Sequence, residues 1–347
     1  MHGRIELDKS WSREEIRQIA ADPAVKIVQY SEWNVPNKQQ LKWLNEELFA
    51  VRADVALRIY GFHFKPADLS VLELMTEVRD LSVDCCTQAE HLDAVSALPK
   101  LESLVLDIYQ IESFEALNFV PASLKKLRLG KTASAKPDLS VLRRFRQLQQ
   151  LALSGQRKNI EVIGDLRELR SLHIGGVPLK ELAYLVSLPE LRRLQLGFGG
   201  AEHLEELAGM DQLRILCLLR VKGLTDLSAL STMQGLRYVQ IIDQAKLTDL
   251  QPLADLPQLK RVLLENVAAE NLEWAKACPP LDELALLQMK TITPAQVEAL
   301  LQAKSFAKLS AGFKTLSMNK EIQPVLEGYG HTGRSSWWVD ETPFLEE

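Results

Sequence analysis

Histidine and cysteine, which often form catalytic and metal sites, are present in this chain, but their spacing does not match that of such a site. No two histidines stand at the helical spacing of a metal-binding pair. The six are His2, His63, His91, His173, His203 and His331. The cysteines are one adjacent pair, Cys85 and Cys86, and two distant residues, Cys217 and Cys278, which matches neither a zinc motif nor a dense disulfide framework. We therefore expect reduced thiols, no bound metal and no cofactor.

Three further patterns could support chemistry, and each has a simpler explanation. The GFGG run from Gly197 follows a predicted strand, but it matches no phosphate-loop pattern and no lysine follows it. Cys217 has apolar neighbours and no basic residue beside it that would activate the thiol. Asp80, Asp84 and Asp107 could hold a hard cation, but three acids at one end of a sheet are more typical of a docking patch. Because no titratable groups are predicted to converge in a pocket, we expect a non-catalytic protein.

The elements that position these residues form a repeat. A six-residue LxxLxL frame occurs ten times at intervals of 21 to 24 residues. The frames begin at Val78, Leu101, Leu124, Leu148, Leu169, Leu191, Leu213, Leu236, Leu259 and Leu281. Each frame predicts a short strand whose fourth and sixth residues, such as Leu104 and Leu106, point into a core. The segments between frames have apolar residues at helical spacing, so strands alternate with helices and stack into a repeat array.

These frames resemble the leucine-rich repeat family. The segment LTDLQPLADLPQLKRVLL, from Leu247 to Leu264, is most similar to the class of about 22 residues found in bacterial internalins and in a eukaryotic phosphatase regulator. The resemblance covers about Val78 to Leu287. It implies an α/β solenoid, a leucine-rich repeat horseshoe with one parallel β-sheet on the concave face and short helices on the convex face.

The chain departs from the family at one repeated position. The family usually has Asn, Cys or Thr three residues after the sixth-position leucine, where the side chain bonds the turn backbone. The corresponding residues here are Cys86, Tyr109, Thr132, Gln156, Val177, Gly199, Val221, Gln244, Val267 and Met289. Because they form no asparagine ladder, we expect the turns to be satisfied by backbone pairing or by water.

The two ends of the array predict caps. Residues 1–77 are predicted to form an N-terminal cap and irregular first β/α units, and 78–292 the ten repeats. Residues 293–347 are predicted to form a degenerate last repeat, a C-terminal cap and an aromatic tail. Ser12 and Glu15 give a capping-box signal at the start of the first helix. In the tail, Trp337, Trp338 and Phe344 are costly to leave in water, so we expect them to dock.

The third, fifth and seventh residues of each frame are predicted to point away from the core, onto the concave face. The first frames present an acidic patch there, and the last frames present a contiguous apolar patch. The predicted partner-binding residues are Ile215, Leu219, Tyr238, Ile242, Leu263 and Leu287, together with Asp80, Asp84 and Asp107. Two alternatives remain open for the apolar patch: the tail or the capping region covers it, or the register of the strands is different.

A row of basic residues follows the second position of successive frames. Its members are Arg170, Arg192, Arg214, Arg237 and Lys260. It could bind an anionic partner, but we interpret it as a solvated rim that is neutralised by Glu168, Glu190 and Asp211. It contains no aromatic residues, and the chain has a net charge of -5, so we expect no nucleic-acid binding.

Together these features predict a non-catalytic scaffold that holds a protein partner of unknown identity on its concave face. Narrower alternatives are a bacterial immunity-type inhibitor of a toxin and a regulatory subunit of an enzyme. The first residues lack the apolar region of a secretory signal, and no stretch has the length of a membrane span. We therefore expect a cytoplasmic protein that is monomeric when free and does not bind membranes.

Overall fold

In a computed structural model of the chain, the structure describes residues 3–178 and 182–332. The chain divides into two compact units, Met1–Leu169 and Arg170–Glu347. Each unit alternates short strands with short helices, because each frame supplies two inward apolar residues and each linking segment supplies one apolar face. The predicted α/β repeat architecture is therefore confirmed.

Seven parallel strands of the first unit pair in chain order. They are β1 (Arg4–Glu6), β2 (Ile27–Ser31), β3 (Ala56–Tyr60), β5 (Asp80–Cys86), β7 (Ser103–Ile108), β8 (Lys126–Leu129) and β9 (Gln150–Ser154). Two further strands, β4 (Ala67–Asp68) and β6 (Ala89–Glu90), form a separate parallel pair. The register aligns Leu81, Leu104, Leu127 and Leu151 in one buried row, which confirms the predicted frame.

Seven parallel strands of the second unit also pair in chain order. They are β10 (Ser171–Gly175), β11 (Arg193–Gly197), β12 (Ile215–Leu219), β13 (Tyr238–Ile242), β14 (Arg261–Glu265), β15 (Glu283–Met289) and β16 (Lys308–Phe313). Their fourth-position residues, such as Leu194, Leu216 and Val239, again lie side by side and are fully buried. This leucine core therefore runs under every strand of the unit.

Most of the predicted helices are short 3₁₀ helices rather than α-helices, because repeats of 21 to 24 residues leave only about one or two turns between strands. The α-helices are α1 (Arg13–Ala21), α2 (Lys38–Trp43), α3 (Glu273–Ala277), α4 (Pro294–Ala303) and α5 (Leu316–Gly328), and a π-helical turn spans Leu44–Phe49. The 3₁₀ helices are Leu69–Leu74, Leu92–Ala97, Glu115–Phe119, Leu139–Arg144, Ile160–Asp165, Ala183–Ser187, Glu205–Leu207, Ser228–Thr232 and Gln251–Asp255. In residues 3–178 and 182–332, no helix combines the length and apolar character that crossing a membrane requires.

The first helix begins at the predicted capping box. The Ser12 hydroxyl accepts from the Glu15 backbone N–H, and the Glu15 carboxylate accepts from the Ser12 backbone N–H at 2.7 Å. These two bonds satisfy backbone donors that the helix cannot pair internally. On the next turn, Ile16 is buried, so the cap also fixes which face of the helix packs inward.

The turns that follow the strands of the second unit are held by a ladder of backbone hydrogen bonds. In each turn the residue after the strand donates its N–H to the last strand residue of the next repeat, as from Phe198 to the Leu219 carbonyl at 2.9 Å and from Arg220 to the Ile242 carbonyl at 3.0 Å. The donors adopt left-handed backbone conformations, although most are not glycine: Gly176, Phe198, Arg220, Asp243 and Asn266. This confirms that backbone pairing satisfies the turns.

Glutamine side chains reinforce two turns at the position where the family has asparagine. Gln156 is fully buried, donates to the Gly130 carbonyl at 2.7 Å and accepts from the Ser154 backbone N–H at 2.8 Å. Gln244 is also buried and donates to the Ile242 carbonyl at 3.1 Å. At these two positions, the longer glutamine side chain therefore bonds the turn backbone, as asparagine does in the leucine-rich repeat family.

Candidate protein-binding surface

The register of the second unit brings the predicted apolar residues together on one face of the strands. We call this face, formed by the third, fifth and seventh residues of each frame, the open face. Ile215 pairs with Tyr238, Leu219 pairs with Ile242, and Leu263 stands on the next strand. The resulting apolar cluster contains Ile215, Cys217, Tyr238, Ile242, Leu263 and Ala285, with Leu219 and Leu287 packed against it. The strand register predicted from the sequence is therefore correct here.

The apolar cluster is buried. Ile215 and Leu263 have no exposed surface, and Tyr238 is 1% exposed. The first unit gives a direct comparison, because Val105 and Ala152 occupy the equivalent fifth position of their frames and remain partly exposed. The cluster is thus a second hydrophobic core on the opposite side of the strands from the leucine core. Burying side chains of this size contributes about 1.5–3 kcal/mol each.

Charged and aromatic groups border the apolar cluster. The guanidinium of Arg261 lies 4.5 Å from the centre of the Tyr238 ring, and its Nε donates to Glu283 at 2.6 Å. Lys308 also pairs with Glu283, at 3.0 Å. A guanidinium over an aromatic ring is attracted by the ring's negative face. These contacts hold Arg261, which is almost fully buried, in one orientation beside the cluster.

Glu265 ends β14 on the open face and is also buried. Burial, together with the neighbouring Asp243, raises the pKa of Glu265. One carboxylate oxygen accepts from the Gln288 amide at 2.6 Å, and the other has no hydrogen-bond partner among the described residues. A buried acceptor without a donor is costly. This end of the open face therefore holds a buried acceptor that the described residues leave without a donor.

The predicted acidic patch on the first unit is partly neutralised. Asp84 receives two hydrogen bonds from Arg58, at 2.7 and 2.5 Å, and Arg58 lies 4.4 Å from the centre of the Tyr60 ring. Burial alone would raise the pKa of Asp84, but the bonds from Arg58 and Ser82 hold it below its usual value. The sequence prediction missed Arg58 because it precedes the ten frames.

The two other acids of the patch behave differently from Asp84. Burial raises the pKa of Asp80, although a hydrogen bond with Ser103 on the next strand and the charge of Lys126 two strands away act in the opposite direction. Burial also raises the pKa of Asp107, against the charge of Arg128 on the next strand. Within residues 3–178 and 182–332, no group of three histidine, cysteine or acidic side chains is arranged to hold a metal ion. The patch presents carboxyl groups near basic side chains rather than a cation cage.

The members of the basic row at the second frame position differ in their surroundings: Arg170 and Lys260 are exposed, whereas Arg192, Arg214 and Arg237 are half-buried. Arg214 donates from Nη1 to the carbonyl oxygens of Asp211 and Gly235, at 2.8 and 3.3 Å. Arg192 makes an ion pair with Glu190 at 3.4 Å. The interpretation as a neutralised rim therefore fits Arg192, whereas Arg214 connects the loops of neighbouring repeats.

The comparison with known proteins gives structural matches only. No protein-family model and no curated protein matches the sequence. An internalin (InlF) from Listeria monocytogenes matches with a TM-score of 0.50 and 16% identity, over 97% of this chain and 87% of that chain. A chain of the Drosophila Toll–Spatzle complex matches with a TM-score of 0.54 and 12% identity, over 94% of this chain and 49% of that chain. The present chain therefore spans about half the length of that chain. A leucine-rich repeat protein from Leptospira interrogans matches with a TM-score of 0.48 and 14% identity, over 93% of each chain.

The matches at a TM-score of 0.50 or above agree with what the chain shows by itself. Parallel strands recur with the frame, their fourth and sixth residues fill a leucine core, and short helices return the chain to the next strand. This chain therefore has the leucine-rich repeat fold.

Proposed function

We propose that this chain is a non-catalytic scaffold that binds another protein on the open face of its second unit. The observation that carries the proposal is the apolar cluster, which is a group of large side chains on the strand face opposite the leucine core. Eight residues from four neighbouring strands contribute to it. Leu219 and Leu287, at the edge of the cluster, stay partly exposed and are the first side chains that a partner would meet.

The composition of the open face supports this proposal. Binding hot spots are enriched in tyrosine and arginine and lie in well-packed, desolvated pockets. Tyr238 and Arg261 provide such a pair beside Leu263, and the unpaired Glu265 oxygen provides an acceptor for a backbone or side-chain donor. On the first unit, Asp80, Asp84 and Asp107 are proposed as a second, polar contact that orients the partner.

The fold and the cysteines support the same role. The Drosophila Toll–Spatzle complex, one chain of which has a similar fold, is a complex between proteins. No disulfide links the four cysteines, all of which lie in the described part of the chain, and this supports a reducing, cytoplasmic compartment. An immunity-type inhibitor and a regulatory subunit would use the same surface, so the identity of the partner distinguishes these narrower roles.

The test is quantitative affinity purification from the native cell with the wild-type chain and with the double variant Tyr238→Ala, Leu263→Ala. Each truncation of a hot-spot residue costs about 2 kcal/mol or more of binding free energy, so capture of the partner should fall at least a hundredfold for the pair.

The matched control is Phe119→Ala with Val186→Ala, which truncates two exposed apolar residues on linking helices outside the open face. We expect this variant to retain the same proteins as the wild type, and circular dichroism should show that both variants are folded at the assay temperature. Equal capture of those proteins by Tyr238→Ala, Leu263→Ala would contradict the proposed surface.

A further inference from the structure

The turn that follows β11 contains a phenylalanine in a strained backbone conformation. Phe198 has a φ of 56°, in the left-handed region, where the β-carbon of an L-residue crowds the following carbonyl group. Glycine, asparagine and aspartate tolerate this region better than a bulky residue does. At the same position of other turns the chain has glycine, as at Gly176, or a polar residue, as at Asp243 and Asn266. Phe198 is therefore an unusual residue for this position.

The two glycines beside Phe198 show that this turn has glycine where packing requires it. A β-carbon at Gly199 would overlap the carbonyl oxygen of Val177 on the preceding repeat. A β-carbon at Gly197 would lie 3.3 Å from the carbonyl oxygen of Leu219 on the following repeat. At position 198 the backbone conformation itself favours glycine, yet the chain has phenylalanine there.

Burial of the Phe198 ring does not offset this strain. The residue is 58% exposed, so it adds little to the core. Its backbone N–H donates to the Leu219 carbonyl at 2.9 Å, but this bond needs no aromatic side chain, because Gly176 donates in the same way to Gly197 at 2.8 Å. The fold therefore gains little from the ring. Residues in strained conformations are concentrated at functional sites, where the strain is part of the function.

Phe198 lies at the edge of the open face, next to the partly exposed margin of the apolar cluster. Its hydrogen bond to Leu219 places it beside the residue that ends β12, and Leu219 packs against the cluster. A partner that contacts Leu219 is therefore also close to the phenyl ring. Aromatic residues are enriched in protein interfaces because they bury a large apolar area with few rotatable bonds.

The charges around the phenyl ring balance one another. Arg220, at the equivalent position of the next turn, pairs with Asp243 at 2.9 Å. Lys222 and Glu202, which follow on the two turns, are exposed and carry opposite charges. The ring therefore stands in surroundings without excess charge, and what it offers to a partner is apolar aromatic surface. An apolar pocket is the complement of such a ring.

We infer that Phe198 is a partner-binding residue, that its ring enters an apolar pocket on the protein bound by the open face, and that its strained backbone is retained for this contact. The inference rests on the proposed function for the existence of that partner. It extends the binding surface from the end of β12 onto the turn after β11. It also names the complementary feature of the partner, which is a pocket for a phenyl ring rather than a charged patch.

The variant Phe198→Gly tests the inference, because it should change stability and binding in opposite directions. Glycine relieves the left-handed backbone, so the midpoint of thermal unfolding should rise. Loss of the ring should lower capture of the partner at least tenfold in quantitative affinity purification from the native cell. A loss of binding by a more stable protein cannot result from unfolding. Phe198→Tyr keeps the ring and should retain capture.

The matched control is Phe64→Gly, which removes a phenylalanine that is 85% exposed on the other unit and is not in the left-handed region. It should give no gain in stability and no loss of capture. Equal capture by the wild type and by Phe198→Gly would overturn the inference. A lower midpoint of thermal unfolding for Phe198→Gly would also overturn it, because the ring would then serve the fold.

A photoreactive analogue identifies what the ring contacts. The analogue p-benzoylphenylalanine keeps an aromatic ring at position 198, and mass spectrometry locates the crosslinked segment of the partner. We expect one adduct, with the protein that the wild-type chain captures, through a segment rich in apolar residues. The adduct should persist when the salt concentration is raised, because an apolar contact is not screened. The absence of an adduct, or an adduct lost at high salt, would overturn the inference.

The outcome is separable from that of the proposed function. If Phe198→Gly loses capture but Tyr238→Ala, Leu263→Ala does not, the turn after β11 binds the partner and the proposed surface on the open face is wrong. If Tyr238→Ala, Leu263→Ala loses capture but Phe198→Gly does not, the proposed surface is supported and the role of Phe198 is wrong.

Discussion

Leu263→Ala should be among the most destabilising changes on the open face. Leu263 is fully buried, and truncation to alanine removes three carbons, each worth about 0.8 kcal/mol of transfer free energy. The cavity that is left adds to this cost, so we expect the free energy of unfolding to fall by about 3 kcal/mol. A solvent-exposed leucine on a strand would cost about 0.5 kcal/mol or less. The two values are far enough apart to distinguish a buried cluster from an exposed patch.

The assay is urea unfolding of the full-length chain followed by circular dichroism, with Val105→Ala as the control. Val105 has the same frame position but is partly exposed, so its truncation should cost about 1 kcal/mol or less. A cost of Leu263→Ala that equals that of Val105→Ala would refute the reasoning.

Three further predictions concern the turns and the ion pair. Phe198→Gly should raise the free energy of unfolding by about 1 kcal/mol, because the Phe198 backbone is left-handed and its side chain is 58% exposed. The control Phe64→Gly should give no gain in stability. Equal shifts of the two variants in thermal melting would contradict this prediction. Gln156→Leu should lower the free energy of unfolding by about 2 kcal/mol in urea, because two backbone groups of the turn lose their hydrogen-bond partner. A neutral effect would argue against a contribution of the Gln156 side chain to the turn. The pKa of Asp84 is lowered in the folded chain, so its ion pair with Arg58 stabilises the fold above the ordinary carboxyl pKa, and this stabilisation is lost as pH falls through the folded pKa. Asp84→Asn should therefore destabilise the chain at neutral pH. A stability difference between variant and wild type that persists unchanged in strong acid would contradict this prediction.

The strands were predictable because the signal for them is local and periodic. Leu104 and Leu106 point inward for the same reason in every repeat, and the equivalent residues of ten frames fixed both the register and the membership of the open face. The helical segments were predictable in position but not in type. Apolar spacing at three and four does not distinguish α from 3₁₀ when a segment such as Glu115–Phe119 has only five residues.

The burial of the predicted surface was not predictable. Frame positions place Tyr238 and Leu263 on one face, but they do not determine how much of each side chain is exposed there. Arg58 was missed as the partner of Asp84 for a related reason, since the two are 26 residues apart and only the register joins them. Gln156 was recognised as a departure from the family, but only the structure shows that its longer amide reaches the turn carbonyl.

The most direct measurement of where a partner binds is site-specific photo-crosslinking in the native cell. A photoreactive amino acid is placed at Leu287, at the partly exposed edge of the apolar cluster, and in a second protein at Phe119, an exposed residue of a linking helix of the first unit. We predict that a covalent adduct with one other protein forms from position 287 and is absent or weak from position 119. An adduct from position 119 together with none from position 287 would contradict the central claim.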